Sequence, residues 1–204
     1  MNAPRGDAVL GNGRAAASDD DLIRATLGGD EGAFRELVER YKGRAFGVAV
    51  GIVGDGDDAM DVVQDSFVKA YYNLKEFRFG ASFYTWFYRL LVNQAIDRWR
   101  KSSRSAEIPL DERWLSEDAS PPDSFAYPRT PEEIASNREL GDALQRAIAA
   151  LPEYHRAVIL LREVEGMAYE EIAKVLGCSV GTVMSRLHYA RGKLKEALKS
   201  HRAG

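Results

Sequence analysis

The hydrophobic residues of this chain recur every three or four positions along almost its whole length, and no convincing strand alternation interrupts them. This period predicts an all-α protein. Cap residues, glycines and prolines mark the predicted helix boundaries. The expected starts are Ser18 or Asp19, then Asp30 with an end at Gly54, then a position near Asp57, Thr130 with Pro131 as the first helical residue, and Pro152.

A proline-rich acidic segment divides the helical pattern into two parts. Five of the seven prolines lie within residues 105–131, and residues 104–133 carry 8 acids against 3 bases. Such a segment has too little apolar surface to order itself. We therefore predict two small helical domains joined by an acidic flexible linker. The expected boundaries are a disordered leader at 1–17, a first domain at 18–103, the linker at 104–133 and a second domain at 134–200.

The charge is unevenly distributed, although the formal net charge is only −3. Residues 18–77 carry a net charge of −6, whereas residues 84–104 carry +4 and residues 184–204 carry +5. Local fields, rather than the total charge, attract a polyanion. The two basic segments therefore keep nucleic acid among the expected partners.

Several function classes receive no support from the composition. The single cysteine, Cys178, permits neither an intrachain disulfide nor a cysteine cluster for a metal. The acidic run beginning at Asp55 has Met60 and Ser66 where an EF-hand loop needs glycine and glutamate. We expect no cofactor, no metal, no catalytic residue, no signal peptide and no membrane insertion, and we expect a cytoplasmic location.

The segment from Ser82 to Lys101 predicts a helix with two distinct faces. At about 100° per residue, one face is an apolar stripe that should pack on a core. It comprises Phe87, Tyr88, Leu91, Val92, Ala95 and Trp99. The other face carries Trp86, Arg89, Leu90, Asn93, Asp97 and Arg100. Together with the preceding aromatic loop, this second face is suited to a strand with unstacked bases. A buried Trp86 with merely solvated arginines is an equally good interpretation of this helix alone.

A second pattern, in residues 168–194, predicts a helix-turn-helix. Ile172, Ala173 and Leu176 should face inward, Gly177 should end the first helix and Ser179 should cap the second. The second helix should bury Val183, Leu187, Ala190 and Leu194. Its opposite face carries small polar and basic residues that suit the major groove. An ordinary helical hairpin is the weaker alternative.

Three segments of the chain resemble parts of a known protein family. The segments "DVVQDSFVKAY", "FYTWFYRLLVNQAIDRWRK" and "LPEYHRAVILLREVEGMAYEEIAKVLGCSVGTVMSRLHYAR" are similar, in order, to three parts of the extracytoplasmic-function sigma factors of bacterial RNA polymerase. These parts are the core-binding helix, the segment that melts and recognises the minus-ten element, and the domain that recognises the minus-thirty-five element. The resemblance covers nearly all of residues 19–198.

The resemblance implies three sets of site residues. The minus-ten set is Arg78, Phe79, Ser82, Phe83, Trp86, Arg89, Asn93, Asp97 and Arg100. The minus-thirty-five set is Ser179, Gly181, Thr182, Met184, Ser185, Arg186, His188, Tyr189 and Arg191. The set that binds core polymerase is Asp58, Asp61, Gln64, Asp65 and Val68, opposite a predicted core stripe of Met60, Val63, Phe67, Tyr71 and Leu74. Without the resemblance, the acids of this helix need only favour its dipole and solubility.

The implied partners are core RNA polymerase, through its clamp coiled coil and flap, promoter DNA, and an anti-sigma factor. The linker would run toward the RNA exit path. Met184 and Tyr189 depart from a common pattern, because relatives often carry arginine there. We therefore expect a non-enzymatic sigma factor for transcription initiation in a stress or envelope response. Two alternatives remain, a plain helix-turn-helix regulator and a metal-dependent nuclease.

Overall fold

The computed structural model describes residues 17–105 and 131–199, with side chains from residue 139 onward in the fifth helix. Those residues form eight α-helices, one short 3-10 helix and no strand, so the all-α prediction is confirmed. The helices are α1 Asp19–Leu27, α2 Glu31–Val53, α3 Gly56–Asn73, α4 Phe83–Ser105, α5 Pro131–Ala149, α6 Glu153–Glu163, α7 Tyr169–Leu176 and α8 Val180–Ala197, with the 3-10 helix at Leu74–Glu76.

The local sequence fixes most helix ends. Ser18 caps α1 in a capping box with Asp21, and Asp30 accepts a hydrogen bond from the backbone N–H of Gly32 at the start of α2. Gly54 ends α2 with φ of 91°, a conformation that costs glycine little. The next helix begins at Gly56 with Asp55 as its cap, one residue before the expected start near Asp57.

The first domain packs α2, α3 and α4 around an aromatic centre. Phe87 of α4 stacks on Phe67 of α3 with ring centroids 4.4 Å apart and on Phe83 at 5.9 Å. Five of the six residues predicted for the apolar face of α4 are fully buried, namely Phe87, Tyr88, Leu91, Val92 and Ala95, whereas Trp99 is half-buried. Burial of such large side chains is worth about 1.5–3 kcal/mol each and fixes how α4 is rotated about its axis.

The predicted core stripe of α3 was partly wrong. Met60 and Tyr71 are 46% and 43% exposed, whereas the buried side also includes the small residues Ala59, Ser66 and Ala70. These small side chains let α3 approach its neighbours closely. The hydroxyl of Ser66 accepts a 2.8 Å hydrogen bond from the side-chain amide of Gln94 on α4. Helix–helix packing therefore rotates the buried face toward the small residues.

The second domain contains the predicted helix-turn-helix, formed by α7 and α8. Gly177 ends α7 in the left-handed conformation, with φ of 62°. Two residues later, the hydroxyl of Ser179 accepts a 3.1 Å hydrogen bond from the backbone N–H of Thr182 and caps α8. Val183, Leu187 and Ala190 of α8 are buried, as predicted.

The described structure extends beyond three of the expected domain boundaries, two of them within helices. Ala17 is not part of a free leader, because its carbonyl accepts a 3.0 Å hydrogen bond from Arg40 and it packs on the core. The fourth helix continues to Ser105, and the fifth begins at Pro131. The rest of the predicted leader, linker and C-terminus (residues 1–16, 106–130 and 200–204) lies outside the described residues.

The two domains contact each other directly. Helices α2 and α4 pack against α6 and α7, and buried residues of both domains form one continuous hydrophobic cluster. None of the described helices is both long enough and apolar enough to cross a membrane.

Candidate nucleic-acid interface

The exposed face of α4 carries the central residues of the predicted minus-ten set. Arg89, Asn93 and Asp97 are exposed and lie four residues apart, so they form one stripe along the helix. Because the aromatic face on the other side of α4 is buried in the domain core, this stripe faces the solvent. A cation, an amide and a carboxylate thus lie in a row at the protein surface, which is a suitable arrangement for polar contacts to bases and phosphates.

The loop before α4 presents one aromatic ring, that of Phe79. Its side chain is 44% exposed, and Gly80 beside it has φ of 97°, which favours glycine in this turn. The ring rests edge-on against Phe77 at 5.7 Å, while the guanidinium of Arg24 lies over it at 4.6 Å. Arg24 was not among the predicted site residues, since only the tertiary structure brings α1 to this loop.

Two other aromatic residues of the predicted set support the loop. Phe83 is only 2% exposed, so its ring has no free face for a base in this conformation. Trp86 is half-buried and packs against Phe77 and Phe83 at 5.5 and 5.7 Å.

The two polar residues of the predicted loop set, Ser82 and Arg78, have different surroundings. Ser82 precedes α4, and its hydroxyl accepts a long 3.4 Å hydrogen bond from the N–H of Thr85. Arg78 is exposed at the start of the loop.

The C-terminal end of α4 contacts the other domain. Arg100 forms a 2.9 Å ion pair with Glu153 of α6, and its guanidinium lies 5.7 Å from the centre of the Tyr154 ring. The hydrogen bond from Arg100 lowers the pKa of the Glu153 carboxyl. Arg100 is therefore paired with an acid of the second domain in this arrangement, whereas Arg89 is exposed.

The predicted polymerase-binding residues lie on the outer side of α3. Asp61, Gln64, Asp65 and Val68 are exposed and form a stripe that continues to Tyr72, which is 77% exposed. Asp58 departs from this set because Arg98 of α4 donates a hydrogen bond to its carboxylate. That bond raises the pKa of Arg98. The stripe thus combines acidic and apolar side chains, whereas Asp58 contributes to packing within the domain.

The outer face of α8 matches most of the predicted minus-thirty-five set. Gly181, Met184, Ser185 and His188 are exposed, and Thr182 is half-buried beside them. The hydroxyl groups of Ser179 and Thr182 lie 2.9 Å apart, and Ser185 donates to the carbonyl of Thr182. A helix with small residues near its N-terminus can approach base edges closely.

The larger residues of that set contact other parts of the second domain. Arg186 lies over the Tyr154 ring at 4.9 Å, and Arg191 donates two hydrogen bonds, of 3.1 and 2.6 Å, to Oε1 of Glu163. This contact raises the pKa of Arg191, so its guanidinium remains charged. Tyr189 packs against the ring of His155 at 4.7 Å. These side chains are oriented by neighbours before any DNA is bound.

Sequence reasoning missed the polar contacts between the domains. The carboxylate of Glu165, in the turn after α6, accepts hydrogen bonds from Tyr84 at 3.0 Å and Tyr88 at 2.6 Å and forms an ion pair with Arg44 at 3.1 Å. We call these four residues the interdomain cluster. Nothing in the spacing of the four residues indicates that they meet. Elsewhere, no three His, Cys, Asp or Glu side chains in the described ranges form a metal-binding group.

Comparison with protein-family models identifies the family of both domains. Residues 37–105 match the model for sigma-70 region 2, and residues 141–194 match the model for sigma-70 region 4. Among curated proteins, the ECF RNA polymerase sigma-E factor of Haemophilus influenzae is 38% identical over 89% of this chain and 96% of its own length. The chain belongs to the ECF sigma factor family. It is therefore an RNA polymerase sigma factor, and α4 and α8 lie in its regions 2 and 4.

Further relatives agree with this assignment over most of their lengths. The RNA polymerase sigma-H factor of Pseudomonas aeruginosa is 36% identical over 89% of this sigma factor and 94% of its own chain. Among solved structures, CnrH in complex with the cytosolic domain of CnrY matches with a TM-score of 0.66 and 28% identity, over 89% and 97% of the two chains. The sigma factor RpoE in complex with the anti-sigma factor NepR from Bartonella quintana matches with 0.60 and 25%, over 81% and 96%.

Proposed function

We propose that this sigma factor binds core RNA polymerase through α3, recognises and opens the minus-ten element with α4 and its preceding loop, and recognises the minus-thirty-five element with α8. The observation that carries this proposal is the exposed row of Arg89, Asn93 and Asp97 on α4, together with the exposed Phe79 ring in the loop that precedes this helix. Transcription initiation at promoters for a stress response is the expected outcome. The protein acts in the cytoplasm and has no enzymatic activity of its own.

Strand opening follows from selective binding to unpaired bases. A base that leaves the duplex stacks on Phe79, while Asn93 and Asp97 offer hydrogen-bonding groups to base edges and Arg89 offers charge to a phosphate. Stacking on an aromatic side chain contributes about 1–3 kcal/mol per base. Because these contacts exist only for the open DNA, they shift the equilibrium toward it. Phe83 and Trp86 act by holding the loop.

Recognition of the duplex is the task of α8. Its N-terminal half carries Gly181, Thr182 and Ser185, which have short side chains and can lie deep in the major groove. Arg186 and Arg191 extend from the same helix and supply phosphate contacts once their present partners release them. Each domain binds weakly alone, and the connection between them makes the second contact intramolecular.

Two protein partners are proposed. The acidic and apolar stripe of Asp61, Gln64, Asp65 and Val68 is suited to a basic helical surface, for which we propose the clamp coiled coil of the polymerase. The flap is the expected contact of the second domain. An anti-sigma factor is the other partner, since a solved relative binds one. Such a protein would cover the polymerase-binding surfaces.

Runoff transcription with purified core polymerase tests the proposal. The complete chain should bind core polymerase and give transcripts from a subset of candidate promoters. Charge reversal of Asp61 and Asp65 together should remove core binding, whereas Lys75→Glu, an equally exposed charge change on the 3-10 helix, should not. If the native chain fails to bind core polymerase at all, the proposed function is wrong.

A further inference from the structure

The guanidinium of Arg24 covers the Phe79 ring from a helix that lies outside the matched family model. Arg24 belongs to α1, whereas the match to the sigma-70 region 2 model begins at residue 37. The guanidinium carbon lies 4.6 Å from the centre of the Phe79 ring. The tertiary structure thus adds a cation from the N-terminal helix to the loop proposed above to capture an unstacked base.

The backbone of α1 is held firmly against the rest of the first domain. Ile23 is fully buried. The carboxylate of Asp19 accepts a 2.7 Å hydrogen bond from Arg40 and another hydrogen bond from the hydroxyl of Tyr41. Burial, together with the bond to Asp19, raises the pKa of Tyr41, so its hydroxyl remains a donor. The main chain at Arg24 is therefore fixed relative to the core.

The side chain of Arg24, in contrast, is loosely held. It is 61% exposed, and its Nη1 lies 3.9 Å from Oδ1 of Asp21, which is too long for a hydrogen bond. The other carboxylate oxygen of Asp21 accepts a 2.7 Å hydrogen bond from the hydroxyl of Ser18, which directs this carboxylate toward the helix cap. An exposed contact between a cation and an aromatic ring is also weak. The guanidinium can therefore move away from the Phe79 ring without disturbing α1.

The Phe79 ring is supported by buried aromatic neighbours. Phe77 is buried and contacts Phe79 with ring centroids 5.7 Å apart. Phe77 also contacts Phe83 at 6.2 Å and Trp86 at 5.5 Å. These contacts fix the ring and still leave much of it exposed. The loop thus offers a fixed aromatic ring opposite a cation, that of Arg24, which can move.

The space between this cation and this ring can widen enough to hold a base. Stacked atoms lie about 3.5 Å apart, so a base between the two planes needs roughly 7 Å, compared with the present 4.6 Å. The arginine side chain has several rotatable bonds, and a change of rotamer is sufficient for this displacement. Arginine planes stack on unpaired bases, as aromatic rings do. A base could therefore contact Phe79 with one face and Arg24 with the other.

The exchange of contacts favours the base. The contact that Arg24 loses with the ring is replaced by a similar contact with the base. Stacking of the base on Phe79 is gained in addition, and this is a stronger contact than an exposed contact between a cation and a ring. The base is then covered on both faces, which a ring alone does not achieve.

We infer that Arg24 is a further base-binding residue of this sigma factor and that an unstacked base of the minus-ten element is held between its guanidinium and the Phe79 ring. This inference rests on the proposed function of the loop before α4. Only a base that has left the duplex can enter between the two planes, so Arg24 contributes to strand opening. The minus-ten site then extends beyond region 2 to α1.

Binding of single-stranded DNA to the holoenzyme tests this inference. The protein is the full chain assembled with core polymerase, and the probe is a labelled minus-ten strand from a promoter that the native protein transcribes. Arg24→Ala should weaken binding by about threefold or more. Arg35→Ala removes an exposed cation on α2 and should leave binding unchanged. Unchanged or tighter binding by Arg24→Ala would overturn the inference, since tighter binding means that the guanidinium competes with the base for the ring.

Abasic strands separate a contact to the base from a contact to a phosphate. The base held at Phe79 is the one whose removal abolishes the effect of Phe79→Ala. On that abasic strand, Arg24→Ala should bind as tightly as the native protein, because the guanidinium has no base to cover. A loss that persists on the abasic strand would show a phosphate contact alone and would overturn the inference.

A combined variant separates direct contact from mere support of the ring. In a Phe79→Ala background, Arg24→Ala should still weaken binding by about twofold or more, because the guanidinium contacts the base itself. No further loss would mean that Arg24 only orients the ring, and the inference would be wrong. Failure of the native holoenzyme to bind the native strand would instead overturn the proposed function, so the two failures are distinguishable.

Discussion

The hydroxyl of Tyr88 donates a 2.6 Å hydrogen bond to Oε2 of Glu165, and the two residues lie in different domains of the sigma factor. Tyr88 is fully buried and Glu165 is 6% exposed. Burial, together with this bond, raises the pKa of Tyr88 well above its ordinary value. The phenol therefore remains a donor at any physiological pH, and its hydrogen bond connects α4 of region 2 to the turn after α6 in region 4.

Substitution of Asn93 or Asp97 by alanine should impair promoter opening without weakening polymerase binding. Both side chains are exposed on α4, so their loss removes contacts to open DNA and leaves the core intact. We expect at least a tenfold loss in open complexes, equivalent to about 1.4 kcal/mol. Permanganate reactivity of unpaired thymines measures this. Glu39→Ala, at an exposed site on α2, is the control, and equal loss in that variant would contradict the assignment.

The stacking role of Phe79 gives a separate prediction. Phe79→Ala should weaken binding of a single-stranded minus-ten oligonucleotide by about 1–3 kcal/mol, because the exposed ring is lost. Phe79→Tyr should retain most of the affinity, since it keeps the aromatic face. Fluorescence anisotropy with a labelled oligonucleotide measures both. If the alanine variant binds as tightly as the native protein, then the ring is not a platform for a base.

Met184→Arg should strengthen binding to duplex DNA. Met184 is 55% exposed on the outer face of α8, and an arginine there would reach a phosphate or a base edge. One added phosphate contact should make the slope of log affinity against log salt steeper by about 0.9. Titrations at several salt concentrations check this. Lys174→Arg, which keeps the charge on α7, should leave the slope unchanged.

Lower pH should destabilise the second domain through His155. Burial lowers the pKa of His155, and the nearby positive charge of Arg186 lowers it further, against an opposing effect of Glu153. The folded protein therefore disfavours the protonated imidazole. The stability that depends on neutral His155 is present above about pH 6.5, the unfolded value, and is lost as the pH falls below it.

Urea unfolding between pH 7.5 and pH 5.5 measures this effect. The free energy of unfolding should fall with pH in the native protein, and His155→Gln should reduce that dependence. His188→Gln is the matched control, since His188 is exposed on the same side of the domain as the DNA-binding residues. A pH dependence that is unchanged in His155→Gln would show that another group causes it.

Much of the fold could be predicted from the sequence because helix ends depend on local chemistry. Ser18, Gly54, Gly177 and Ser179 each cap a helix as expected, since caps involve residues only a few positions apart. The apolar face of α4 was also correct, except that Trp99 is only half-buried. The stripe on α3 was not, because the choice between Met60 and Ala59 as the buried residue depends on how closely α2 and α4 approach.

The candidate site was likewise predictable from the sequence only in part. Arg89, Asn93 and Ser185 are exposed where the helical period places them. The different surroundings of Phe79 and Phe83, one ring exposed and the other buried, were not predictable, because both lie within five residues of each other in an aromatic segment. Their surroundings depend on α1 and α2, which come from distant parts of the chain.

The sequence by itself determined the helices, their caps, the division into two domains and the membership in the sigma factor family, since these depend on local periodicity and on motif order. Only the tertiary structure decided that Glu165 meets Tyr84, Tyr88 and Arg44, and that Gly51 meets Leu160. The physical reason is that a buried carboxylate needs hydrogen-bond donors, and these can come from any part of the chain. The separation of two residues in sequence does not reveal how close they lie in space.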